Sequence, residues 1–275
     1  GTGADSMPTL ANNDHFGSSI ALDGNRLAVG APAEVAGATG NGAVYLLNGL
    51  GDNIFAWRKT LASGTGAANM PALTNGDAFG WSVALDGDLM AIGARQDSTG
   101  GVSRGAVHLF TGVGADFSGL TWQKKIASGT GTTATPVLSD SDSFGLSIAL
   151  DGDRLAVGAV SDATGGTNRG AVHLFTGVGT DFSGLTWQKK LASGTGATGM
   201  PALADSNYFG WSVALDGDRL AVAAVTDGTA GFSRGAVHLF TGVGSDFSGL
   251  TWQKKLASGA GAIGMPILAD VDWFG

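Results

Sequence analysis

The chain has 275 residues, a formal net charge of −8, 48 Gly, 6 Pro and no Cys. Glycine at more than twice its usual ~7% share, with so little proline, excludes a collagen-like or proline-rich chain. A 14% charged and 43% hydrophobic composition argues against disorder. Each glycine inside a helix costs about 1 kcal/mol relative to alanine, so many short strands joined by glycine turns are expected. The acidic balance argues against nucleic acid and against an anionic membrane surface as partners. No apolar run reaches the ~18 residues a membrane span needs. Without cysteine there are no thiolate metal sites, disulfides or Cys nucleophiles. The opening residues Gly1–Asp5 carry neither Met nor a signal-peptide pattern, so a processed chain or a fragment is expected.

In chain order, Phe-Gly recurs at Phe16-Gly17, Phe79-Gly80, Phe144-Gly145, Phe209-Gly210 and Phe274-Gly275, at intervals of 63, 65, 65 and 65 residues. These intervals divide one repeat domain, residues 1–275, into units at about 16–78, 79–143, 144–208 and 209–273. An inter-unit segment is duplicated at 1–15 and 259–275. In the third unit a first strand is predicted over Ser147–Leu150 and a second over Arg154–Ala159, with the tight Asp151-Gly152 hairpin signal between them. A third is predicted over Gly170–Thr176 and a fourth over Leu185–Leu191. Glycine breakers at Thr164-Gly165-Gly166, Gly177-Val178-Gly179 and Ser183-Gly184 separate the later strands.

The first two strands alternate bulky and small apolar residues rather than apolar and polar ones. Ile148 and Leu150 alternate with Ser147 and Ala149; Leu155 and Val157 alternate with Ala156 and Gly158. Both faces are therefore expected to be buried, with the bulky face of one sheet packing on the small face of the next. Four-stranded antiparallel sheets stacked head to tail in this way are propeller blades. One blade by itself would leave both faces wet, forfeiting about 1.5–3 kcal/mol for each exposed large side chain. The fold class is all-β: a β-propeller of four 65-residue blades, forming either a closed four-bladed ring or part of a larger propeller or array. Lys124-Lys125, Lys189-Lys190, Lys254-Lys255 and Arg58-Lys59 fall on the fourth strands, where they are expected to be solvated edge charges.

The Phe-Gly before strand one, with Gly-Ala-Pro after strand two (complete at Gly30-Ala31-Pro32), resembles the FG-GAP repeat, which forms the β-propeller of integrin α subunits and related bacterial surface proteins. The resemblance covers the whole chain four times over. It implies an extracellular or cell-surface protein engaged in adhesion or scaffolding, with ligands on the face made by the two-to-three and four-to-one loops. It also implies that calcium is possible. Yet Asp86-Gly87-Asp88, Asp151-Gly152-Asp153 and Asp216-Gly217-Asp218 are tight hairpins, too short to give the ~6–8 oxygens calcium takes. Asp140 and Asp142 in a longer loop are the weak metal candidates.

No constellation that breaks the repeat suggests catalysis, so no enzyme and no cofactor are expected. His108, His173 and His238 share one strand-three position with Tyr45, which fits packed rings better than metal ligands. Trp57, Trp122, Trp187 and Trp252 recur as blade packing. Arg104, Arg169 and Arg234 precede strand three, each seven residues after Asp97, Asp162 or Asp227. A loop-bridging ion pair is one reading; a row of arginines binding an acidic ligand is the other. Candidate ligand-binding residues on the long-loop face are these three arginines with Trp81, Trp211, Phe232 and Tyr208. The expected function is a non-enzymatic extracellular binding, adhesion or scaffold module, its partner a protein or glycan ligand. One alternative is a filament or array subunit, its partners copies of itself, assembled through the duplicated terminal segment. Another is a glycan-active enzyme on a propeller scaffold.

Overall fold

The computed structural model describes residues 8–35, 40–49, 56–229 and 231–275. Among the described residues, sixteen strands form four four-stranded antiparallel sheets, each built from consecutive strands. Blade 1 contains β1 (Ser19–Asp23), β2 (Arg26–Ala31), β3 (Ala43–Asn48) and β4 (Ala56–Leu61). Blade 2 contains β5 (Phe79–Asp86), β6 (Leu89–Ala94), β7 (Ala106–Thr111) and β8 (Thr121–Ile126). Blade 3 contains β9 (Phe144–Asp151), β10 (Arg154–Ala159), β11 (Ala171–Thr176) and β12 (Thr186–Ala192). Blade 4 contains β13 (Phe209–Asp216), β14 (Arg219–Ala224), β15 (Ala236–Thr241) and β16 (Thr251–Ala257). The predicted strands are all present. The inner strand starts three residues early, because Phe144 pairs with Ala159 across a bulge that interrupts the ladder after Val157–Ile148. A bulge bends the strand locally, and here it places the Phe-Gly pair at the junction with the preceding blade.

The inner strands pack in chain order, β1 on β5, β5 on β9 and β9 on β13. Three apolar clusters fill the junctions. Ala84, Ala91, Val107 and Leu109 of blade 2 meet Phe144, Ile148, Leu155, Val157 and Phe175 of blade 3. The same pairing joins blade 1 to blade 2 and blade 3 to blade 4. Bulky front thus meets small back, as the alternation predicts.

The closest approach is between backbones. Gly158 lies so near the next blade that a Cβ there would sit 2.1 Å from the Gly210 carbonyl oxygen and 2.3 Å from Ser147 Oγ. Ser147 Oγ donates to that same carbonyl at 2.7 Å. Ser19–Gly80 and Ser82–Gly145 repeat the bond at 2.8 and 2.7 Å. Ala223 replaces the glycine in blade 4.

The hairpin carboxylates form a second stitch. Asp23 accepts the Gly87 N–H at 2.7 Å, Asp86 that of Gly152 at 2.6 Å and Asp151 that of Gly217 at 2.8 Å. Lys124, Lys125, Lys189 and Lys190 depart from expectation and are not free edge charges, whereas Arg58 and Lys254 are exposed, as expected. Lys124 and Lys189 donate to the Phe182 and Phe247 carbonyls of the following blade at 2.8 and 2.9 Å. Lys125 and Lys190 close on Asp97 and Asp162, both at 3.0 Å. A carbonyl or carboxylate close by holds an ammonium more firmly than water does when the site is half-buried, and sequence spacing does not reveal such partners.

Among the described residues, the front of blade 1 and the back of blade 4 are exposed. Ile20 on β1 is 63% exposed and Leu22 62%, whereas Val83, Ile148 and Val213, the counterparts of Ile20, are 8–9% exposed. On the back of blade 4, Ala214 is exposed and Ala221, Val237 and Leu239 are half-buried; the matching Ala156, Val172 and Leu174 of blade 3 are fully buried.

Candidate functional site

The two-to-three and four-to-one loops emerge at the end of the stack where the inner strands begin. There the inner strands converge on a cavity of about 510 Å³. It is lined in rows: Ser18, Trp81, Leu146 and Trp211 at the mouth, then Ser19, Ser82, Ser147 and Ser212, then Ile20, Val83, Ile148 and Val213, with Gly275 beside them. Three of the four serine hydroxyls in the second row are committed to the inter-blade carbonyls described above. The lining therefore carries no ionisable side chain, and its exposed surface is divided about evenly between polar atoms and the aromatic and aliphatic side chains.

The two mouth tryptophans differ. The Arg95 guanidinium lies 3.7 Å above the Trp81 ring, a distance that favours cation–π attraction. Burial lowers the Arg95 pKa from its usual value. Blade 4 carries Val225 at the position of Arg95. Trp211 is instead packed edge-on against Tyr208, 6.4 Å between centroids, and is 39% exposed. Phe232, in the two-to-three loop of the same blade, is 72% exposed.

The arginine row is already engaged. Arg104, Arg169 and Arg234 donate to Asp140, Asp205 and Asp270, each at 2.7 Å. The first two also approach Ser128 and Ser193 at 3.3 Å. An ion pair forms, as expected, but with the carboxylate 36 residues downstream in the four-to-one loop. Asp97, Asp162 and Asp227 face the lysines instead, and each also accepts a backbone N–H two residues on. The physical reason is reach: an aspartate turned inward to hold its own loop is no longer available to an arginine that points across to the next blade.

Asp140 and Asp142 do not converge on a common centre. Asp140 is taken up by Arg104. Asp142 is buried, accepts the Ser139 N–H at 2.7 Å, and is pushed up to about 6, mainly by burial, with Asp162 adding to the rise. In the hairpins, Asp88 accepts the Gly112 and Gly114 N–H groups, and Asp153 and Asp218 do the same in their own blades. With those oxygens turned onto backbone donors, the hairpins do not fit a calcium ion. Among the described residues no group of three or more His, Asp or Glu is placed to hold a metal.

The strand-three histidines are packed, as their interchange with Tyr45 implies. His108, His173 and His238 stand edge-on to Phe79, Phe144 and Phe209 at 5.3–5.4 Å. Burial lowers all three to about 4, so they are neutral rings. Trp122 and Trp252 donate to His108 and His238 at 3.3 Å.

A model of the FG-GAP repeat matches residues 10–47, 73–110, 137–175 and 203–240. The chain belongs to the FG-GAP repeat family. No curated protein matches it in sequence. Each FG-GAP window runs from the four-to-one loop through the three inner strands of one blade. It thus takes in the Phe-Gly pair, the mouth residue that follows it and the hairpin. FG-GAP repeats are typical of extracellular or surface proteins, and among the described residues no helix is long and apolar enough to cross a membrane.

Sequence reasoning missed the hairpin and lysine stitches between blades. Their signal lay in the repetition itself: a polar residue kept at one place in successive units, on a strand with both faces buried, needs a partner in the neighbouring unit.

Proposed function

We propose that this FG-GAP protein is a non-enzymatic binding or scaffold module of the cell surface or of a secreted assembly. Its ligand, a glycan or the edge of a protein, enters the mouth of the axial cavity at the long-loop end. The observation that carries this reading is the unionised lining of that cavity with Trp211 exposed at its rim. An indole face there supports stacking on the C–H face of a sugar ring or on an apolar side chain. The lining holds no carboxylate pair, which supports recognition over glycoside hydrolysis, since that chemistry takes two acids about 5–10 Å apart. The arginines contribute by holding the rim loops.

The test is a titration of soluble oligosaccharides, chitin-type and β-glucan-type, followed by tryptophan fluorescence. Binding should weaken about tenfold in Trp211→Ala, equivalent to about 1.4 kcal/mol. It should be unchanged in Asp181→Asn, an exposed position in the three-to-four loop at the opposite end of the stack. Equal affinity of the parent and Trp211→Ala would remove the cavity mouth as the site. Cleavage of any of these glycans would replace the binding reading with the enzymatic one.

A further inference from the structure

The two exposed end faces of the stack carry the same residue pattern as the two sides of an internal junction. Ile20 and Leu22 on β1 correspond to Val83 and Leu85, Ile148 and Leu150, and Val213 and Leu215. In blades 2 to 4 those pairs fill sockets formed by the small back faces of blades 1 to 3. The socket behind blade 4 is a groove of about 430 Å³ whose floor includes Ala214, Ala221, Leu239 and Phe240. Its rim carries polar groups that elsewhere cross a junction. Arg154 donates to the Gly217 and Gly244 carbonyls of the next blade, and its counterpart Arg219 stands exposed at the groove. Asp216 is also exposed there, where Asp23, Asp86 and Asp151 accept the next hairpin's N–H. Lys254 is exposed and reaches back to Gly261 at 3.4 Å, where Lys124 and Lys189 reach forward. On β1 the Gly24 turn presents the matching N–H and carbonyl in the open.

We infer that the front of blade 1 in one copy seats on the back of blade 4 in a second copy, so that the chain self-associates head to tail. The occupant is a second copy because hydrophobic shape, backbone donors and charged acceptors all match in the register already used three times inside the chain. Such a contact is heterologous: it closes a ring or extends an open array.

The same structure shows what the contact competes with. Phe274 donates its N–H to the Arg234 carbonyl at 2.9 Å, the bond that Phe79, Phe144 and Phe209 make one blade earlier. The chain's own 258–275 segment thus occupies the Phe-Gly seat on blade 4. That seat is the poorest of the four. Phe274 is only half-buried there, where Phe79, Phe144 and Phe209 are fully buried, and no hydrogen bond like that of Ser147 to Gly210 is made by Ser212. An incoming Phe16-Gly17 would replace like with like, while Ile20 and Leu22 add burial that the resident segment lacks.

Sedimentation velocity on the 275-residue chain over a wide concentration range tests the inference. The average mass is expected to rise reversibly with concentration. Leu22→Glu, which spoils the front, and Ala221→Arg, which spoils the back, should each stay monomeric. Mixed one to one they should form a dimer and nothing larger, since one intact front then meets one intact back. Because the chain has no cysteine, Ile20→Cys and Ala221→Cys give a second readout. A disulfide between the two different single variants supports the contact. A disulfide within one chain carrying both substitutions, with the mass unchanged, would mean closure in cis and overturn it. So would association that survives in Ala221→Arg, or a monomer at every concentration.

Discussion

Gly158 shows how one hydrogen atom decides a junction. Its missing Cβ admits the Gly210 carbonyl, and the obstacle that Gly158→Ala would create is backbone, which cannot rotate away. The substitution is expected to cost about 3 kcal/mol or more, measured as a lowered urea midpoint. The reverse change in blade 4, Ala223→Gly, should leave the midpoint level or raise it slightly. The buried histidines set a pH dependence of known sign. Their folded pKa of about 4 lies below the unfolded ~6.5, so the unfolded chain takes up protons that the folded one refuses. Stability should therefore fall as the pH drops from about 6.5 to 4, by up to about 3 kcal/mol for each ring. Replacing His173 by Phe, which keeps an edge against Phe144, should flatten that slope in melts compared between pH 4.5 and 7.5. The histidines' structural role was legible from the Tyr45 interchange. The arginine partners were not, because an acid seven residues away is nearer in sequence than Asp140 yet turned inward in space.

At the scale of the blade element, the four-to-one loop shows the same buried position solved in two ways. Asp142 faces Asp162 across the loop junction, while its blade 4 counterpart Asn207 donates to Asp227 at 3.1 Å. The raised folded pKa of Asp142, about 6, means its contribution is present at acid pH and lost as the pH rises through 6. Asp142→Asn should thus stabilise the protein at pH 7.5 by about 1–3 kcal/mol and have little effect near pH 4. A urea series at the two pH values reads the difference directly. Strand positions and the burial of both faces could be read from alternation because side-chain period and sheet pleat are the same two-residue quantity. The early start of β5, β9 and β13 could not, because their bulge is set by the preceding blade's demand for the Phe-Gly pair rather than by local pattern.

For the whole molecule, three repeated junctions account for the core, and stability should follow their number rather than chain length. An isolated 144–208 unit, with both apolar faces wet, should be unfolded by circular dichroism. A chain with 144–208 removed joins Ser143 to Phe209 and keeps the repeat in frame. It should fold with three blades and lose roughly one junction's worth of stability in urea. The number of blades was legible as the number of Phe-Gly pairs followed by a full unit, four of the five. Openness at the ends was not, since a terminal unit has the same pattern as an internal one and only its neighbours differ.

The hairpin stitches tie each turn to the next in series, so the junctions lie one after another along the line between the chain's ends. A tensile load applied to those ends meets one seam at a time. Each yielding seam pays out a 65-residue length of thread, about 220 Å when drawn taut, while the others stay shut. A molecule anchored at one end and tugged at the other would lengthen in steps, each dissipating part of the pull before the anchor feels it.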